Sequence, residues 1–96
     1  MFILHLDVVV KQGGENAFEA FYCDTFYKAV TKQIGFSQTQ LLKDKAPESR
    51  THRLVIAFES EELQKKWMAS ELHQDVSAKL QEHIAKVCSA DYFDAT

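Results

Sequence analysis

The segment FILHLDVVV, residues 2–10, does most to limit how this chain can fold. Alternation puts Phe2, Leu4, Leu6, Val8 and Val10 on one side of an extended strand, and Ile3, His5, Asp7 and Val9 on the other. Both sides are mainly apolar, so both need cover. His5 and Asp7, two residues apart, share a side. A carboxylate between Leu6 and Val8 is costly in a covered strand unless it has a partner, which makes Asp7 the most informative polar residue of the segment.

The rest of the chain supplies possible covers. Residues 15–33 carry Phe18, Phe21, Tyr22, Thr25, Phe26, Ala29 and Val30 at amphipathic helical spacing, with Asn16 and Glu19 placed for a capping box and Gly35 as the stop. FSQTQLL and THRLVIAFE read as strands around the charged, Pro47-containing loop KDKAPESR. Two helical segments follow, SEELQKKWMAS and SELHQDVSAKLQEHIAKV, opened by Ser60 and Ser70 as N-caps, and VCSADYFDA closes the chain as a strand. The order β-α-β-β-α-β is the ferredoxin-like split βαβ arrangement: an α+β fold with an antiparallel sheet and helices on one face, one domain over residues 1–96. The uncovered face is expected to be Phe2, Leu4, Leu6 and Val8 with Leu54, Ile56 and Phe58. A second copy would cover it, giving a homodimer packed sheet to sheet.

Charge and composition remove several classes of partner. A net charge of −3 with dispersed Lys and Arg offers no phosphate-tracking stripe, so no nucleic acid is expected. The apolar start is too short to span a bilayer and lacks a basic leader, so no membrane partner and a cytoplasmic location are expected. Cys23 and Cys88 stand apart without metal-ligand spacing, and neither a Gly-rich phosphate cradle nor HExxH occurs, so no metal or cofactor is expected.

With this order in place, IGF at 34–36 leading into a strand, AFES at 57–60 leading into a helix, and WMASELH at 67–73 resemble the antibiotic biosynthesis monooxygenase family. That family belongs to the dimeric α+β barrel superfamily, and the resemblance covers nearly the whole chain. It implies a pocket within each subunit, between sheet and helices. It further implies cofactor-independent monooxygenation of a small aromatic substrate, a phenol or hydroquinone, with O2. A non-catalytic dimeric binding or regulatory module is the second reading. Haem degradation is the third: in that branch an asparagine on the first strand, a tryptophan at the helix end and an axial histidine ten residues beyond it are expected. The matching positions are Asp7, Trp67 and Ser77. Serine is not an axial haem ligand, so His73 or His83 would have to replace it.

Within that pocket, residue chemistry suggests roles. On a continuous helix Trp67 and His73 lie roughly 120° apart and do not stack, whereas a restart at Ser70 lets both turn inward. If the His5 and Asp7 side of the first strand lies under the helices, then His5, Asp7, Trp67 and His73 surround one cavity, lined by Phe21, Tyr22 or Phe26. His73 or His5 would be the base, Asp7 would orient an imidazole or take the proton itself, and the aromatic residues would hold a flat ring. Against this, Trp67 and the aromatic stripe of the first helix also fit plain core packing, His83 fits a packing layer, and His52 and Arg53 fit an exposed strand end.

Overall fold

The computed structural model describes residues 1–96. Strand β1 (Phe2–Val10) leads into a helix with three parts: α1 (Glu15–Phe21), a π-helical turn (Tyr22–Phe26) and α2 (Tyr27–Val30). Strands β2 (Phe36–Lys43) and β3 (Thr51–Phe58) form a hairpin, followed by α3 (Glu61–Ala69), α4 (Glu71–His83) and β4 (Ile84–Asp94). The sheet runs β2-β3-β1-β4 with every neighbour antiparallel, the ferredoxin-like α+β fold.

Both serine caps form as the sequence predicts. The Ser60 hydroxyl accepts from the Leu63 N–H at 3.3 Å, and the Ser70 hydroxyl accepts from the His73 N–H at 3.1 Å. Ser70 is extended, at φ −76° and ψ 152°, so the chain breaks there and restarts as α4. The first helix begins differently: Gly14 is its N-cap, without a side-chain cap bond, so Asn16 and Glu19 make no capping box. Helix α4 also stops earlier than its hydrophobic spacing suggests. The chain turns into β4 at Ile84, which is buried and pairs with Val10, so Val87 belongs to the sheet.

The expected use of the two sheet faces is reversed. Val8, Val10, Leu54, Ile56 and Phe58 are in one core with Phe18, Phe26, Val30, Trp67 and Val76 of the helices, and Leu4 and Leu6 pack against it. The Phe2, Leu4, Leu6, Val8 side is therefore the covered inner face. His5 and Asp7 lie on the outer one. The cause is the amount of apolar surface: the helices present a broad aromatic stripe, and the unbroken apolar side of β1 matches it, while the side with Asp7 would leave a charge against that stripe. Asp7 finds its partner within the sheet instead. It pairs in register with Arg53, whose Nε and terminal nitrogen donate to its two oxygens at 2.7 and 3.0 Å, and the Ser89 hydroxyl donates at 3.3 Å.

Candidate functional site: a cavity between the sheet and the broken helix

The inner face of the sheet and the helices do not close completely. They leave a cavity of about 260 Å³, floored by Leu4, Leu6, Leu54 and Ile56 and roofed by Phe26, Trp67, Val76 and Leu80. Its mouth is edged by the exposed Met68, Gln81, Val87 and Tyr92, beside β4. Gln64, His73, Ser77 and Gln81 are the polar lining residues, all from α3 and α4, and no Asp, Glu, Lys or Arg lines the space. Apolar lining with a few convergent polar groups is the usual character of a small-molecule site.

The break at Ser70 builds the polar corner. Its hydroxyl donates to the Trp67 carbonyl at 2.7 Å while accepting from the His73 N–H, so one side chain ties the end of α3 to the start of α4. Both rings then turn into the cavity and meet edge to face, with centroids 5.1 Å apart and planes at 85°. Trp67 is only 3% exposed. Burial lowers the His73 imidazole from its ordinary pKa of 6.5, favouring the neutral form that can accept a proton.

The π-helical turn positions the aromatic wall. Phe26, at its end, is buried and reaches the cavity, with Tyr22 stacked on it at 5.7 Å. Tyr22 itself faces away from the cavity. Its hydroxyl donates to Thr39 Oγ1 at 3.2 Å, its pKa is raised by burial, and it borders a separate shallow recess with Glu19, Cys23, Lys43 and His52. Phe21 packs against His83 at 5.0 Å and does not line the cavity.

Of the residues singled out in the sequence, the cavity thus brings together Trp67, His73 and Phe26. It does not include His5, Asp7, Phe21 or Tyr22. His5 lies on the outer face with its ring 4.9 Å from Phe93. Asp7, on the same face, is held below the usual carboxylate range chiefly by its hydrogen bond from Arg53. Neither can exchange a proton with a molecule in the cavity across the sheet. His52 is not at an exposed strand end either: it is 1% exposed, packs edge-on to Phe18 at 5.2 Å, and has Glu19 Oε2 3.4 Å from Nε2.

Two lining residues, Gln64 and Gln81, were not singled out in the sequence. Gln81 follows His73 and Ser77 at intervals of four, a polar stripe on one side of α4 that helical spacing makes visible. Gln64 precedes Trp67 by three and so shares its side of α3.

No protein-family model matches the sequence, and no curated protein matches it. Solved structures match it closely in shape. SnoaB of Streptomyces nogalater, a cofactor-independent oxygenase, superposes with a TM-score of 0.86 at 15% identity over 99% of this chain and 92% of its own. Two proteins described as antibiotic biosynthesis monooxygenases, from Caulobacter crescentus CB15 and Bordetella bronchiseptica, each give 0.85 at 18% and 16% identity. They cover 99% of this chain, and 89% and 96% of their own. The chain has the fold of these monooxygenases. With identities this low, the likeness to antibiotic biosynthesis monooxygenases is one of fold, and the cavity residues must be read on their own chemistry.

Proposed function

We propose that this protein is a cofactor-independent monooxygenase that oxidises a small phenol or hydroquinone with O2 in the cavity beneath its broken helix. The observation that carries this reading is the edge-to-face pairing of the half-buried His73 imidazole with the buried Trp67 at one corner of an apolar space. SnoaB, a cofactor-independent oxygenase of the same fold, agrees with it.

The chemistry follows from those groups. Triplet dioxygen reacts slowly with closed-shell molecules, but a phenolate can give it one electron. Neutral His73 accepts the phenolic proton, and the indole of Trp67 with Phe26 holds the ring flat. Electron transfer gives a phenoxyl radical and superoxide. Their union at a ring carbon bearing hydrogen, followed by proton return from the imidazolium, gives a hydroperoxide. Loss of water, with the ring C–H proton leaving, yields the quinone: phenol plus O2 gives quinone plus water. A positioned base contributes about 10² to 10⁴-fold, and removal of water from the phenolate must add to that.

Haem degradation is a poorer fit. The cavity has no cation to meet haem propionates, and Ser77 stands on its wall at the position expected of an axial ligand. A non-catalytic binding module shares the cavity but gives no reason for a desolvated imidazole in it.

The proposal includes a homodimer, now through the outer face. Ile3, Val9 and Phe93 lie there, Phe93 49% exposed, around the Asp7–Arg53 pair. That face combines apolar area with an internally neutralised charge pair, as a face packed against a second copy requires.

An oxygen electrode tests the reaction. Purified protein with a chelator present and no added cofactor should consume O2 with one or more members of a panel of naphthalene-sized phenols and hydroquinones, forming quinone one for one. Uptake no faster than the uncatalysed rate across that panel refutes the proposed activity.

A further inference from the structure

Gln64 is the one cavity-lining polar residue that is more than nine-tenths buried, at 5% exposed. Its carboxamide nitrogen donates to the Met68 thioether at 2.8 Å, a weak acceptor, and its carboxamide oxygen accepts no hydrogen bond from the protein. No side-chain oxygen or nitrogen is both sealed from solvent and unpartnered, so this oxygen keeps some accessible surface, and the cavity is the space that Gln64 lines. A buried amide oxygen facing an apolar space costs free energy until a donor reaches it. With no charged residue on the wall, an anion entering the space would lose its hydration without a counter-charge. A cavity of about 150 Å³ accepts benzene, so the 260 Å³ here admits a second fused ring.

We propose that Gln64 is the specificity-determining residue of this cavity, its carboxamide oxygen accepting a hydrogen bond from a hydroxyl of an uncharged, two-ring aromatic ligand. The inference rests on the cavity being the ligand site of the proposed reaction, and it deepens that reading by naming the group that selects hydroxylated rings. Gln64 acts as a reader of one hydroxyl and takes no proton, whereas His73 takes the proton of the reacting one. A ligand with a methyl ether at that point leaves the amide oxygen unpartnered. A ligand with a carboxylate there meets an acceptor with an acceptor.

The only tryptophan of the chain lies in the cavity, so its fluorescence reports occupancy directly. Under nitrogen, 2-naphthol, 2-methoxynaphthalene, naphthalene and 2-naphthoate are titrated into wild type, Gln64→Leu and Gln64→Met. In wild type, 2-naphthol should bind about tenfold more tightly than the methyl ether, and 2-naphthoate weakest of all. In the Gln64 variants the hydroxyl-to-ether ratio should collapse to near one, with naphthalene bound at least as well as before. A ratio within twofold in wild type overturns the inference, and so does a tenfold ratio that persists in a folded Gln64 variant. The wild-type series can overturn the inference even if both substitutions unfold the chain, since a ratio within twofold there leaves no hydroxyl preference to assign. Binding without hydroxyl preference defeats this inference alone, whereas hydroxyl-selective binding without oxygen uptake supports it and defeats the proposed reaction.

Discussion

Replacing Trp67 by phenylalanine separates the two things a buried tryptophan can do. Trp67 is 3% exposed, with packed side chains on one side and the cavity on the other. The exchange removes roughly 40 Å² of buried apolar surface, which at about 25 cal/mol per Å² costs about 1 kcal/mol. For a domain of this size that lowers Tm by about 4–8 °C. Pure packing ends there. If the indole also supports a ligand ring, part of an aromatic pair worth about 0.5–1.5 kcal/mol is lost on binding as well, a two- to tenfold rise in Kd. Circular dichroism melts give the first quantity, and calorimetric titration of 2-naphthol under nitrogen gives the second. A normal Kd in a variant whose Tm has fallen would refute the ring-holding role, leaving Trp67 as a core residue beside an empty space.

Three further outcomes follow from the geometry. His73 has a folded pKa below its unfolded value of 6.5, so between the two the unfolded chain binds the extra proton; stability should fall as pH drops through that interval, and a His73→Gln variant should lose this dependence in urea titrations. Gly35 has φ +83°, and a Cβ there would collide with the Leu63 side chain, whereas Gly13, at φ +76°, has open space around it. Gly13→Ala should therefore cost about 1–2 kcal/mol by urea denaturation and Gly35→Ala clearly more; equal losses would contradict the contact. Phe93→Lys, at a half-exposed outer-face position, should leave the chain folded and halve the mass seen by light scattering at micromolar concentration, and an unchanged mass would remove that face as the dimer contact.

Element order was legible in the sequence because each element carries its own local signal. Period-two alternation marks β1, serine caps mark α3 and α4, and Pro47 with its charges marks the hairpin. Which side of β1 meets the helices was not legible by the same means, since alternation separates two faces without saying which is inside. The comparison that decides it is between faces: an unbroken apolar side against one interrupted by His5 and Asp7. The register pairing of Asp7 with Arg53 completes the outer side, and cross-strand register is not a local property. The Ser70 break was readable as a cap, and with it the inward turn of Trp67 and His73. The π-helical turn at Tyr22–Phe26 carries no local residue signal of its own, and it separates Phe26, which reaches the cavity, from Phe21 and Tyr22, which do not. Gln64 carries no such signal, because a glutamine among Glu and Lys residues reads as solvated surface until the helix is docked.

A single-turnover measurement on three proteins tests on which side of the sheet the reacting proton is taken. Wild type, His73→Gln and Asp7→Asn are loaded anaerobically with a saturating phenol that wild type oxidises, then mixed with O2, and quinone formation is followed by absorbance. Asp7→Asn, altered on the outer face, should react at the wild-type rate, while His73→Gln should be slower by about 10² to 10⁴-fold with ligand still bound. A slow Asp7→Asn beside a wild-type His73→Gln would contradict this, placing the reacting proton on the other side of the sheet.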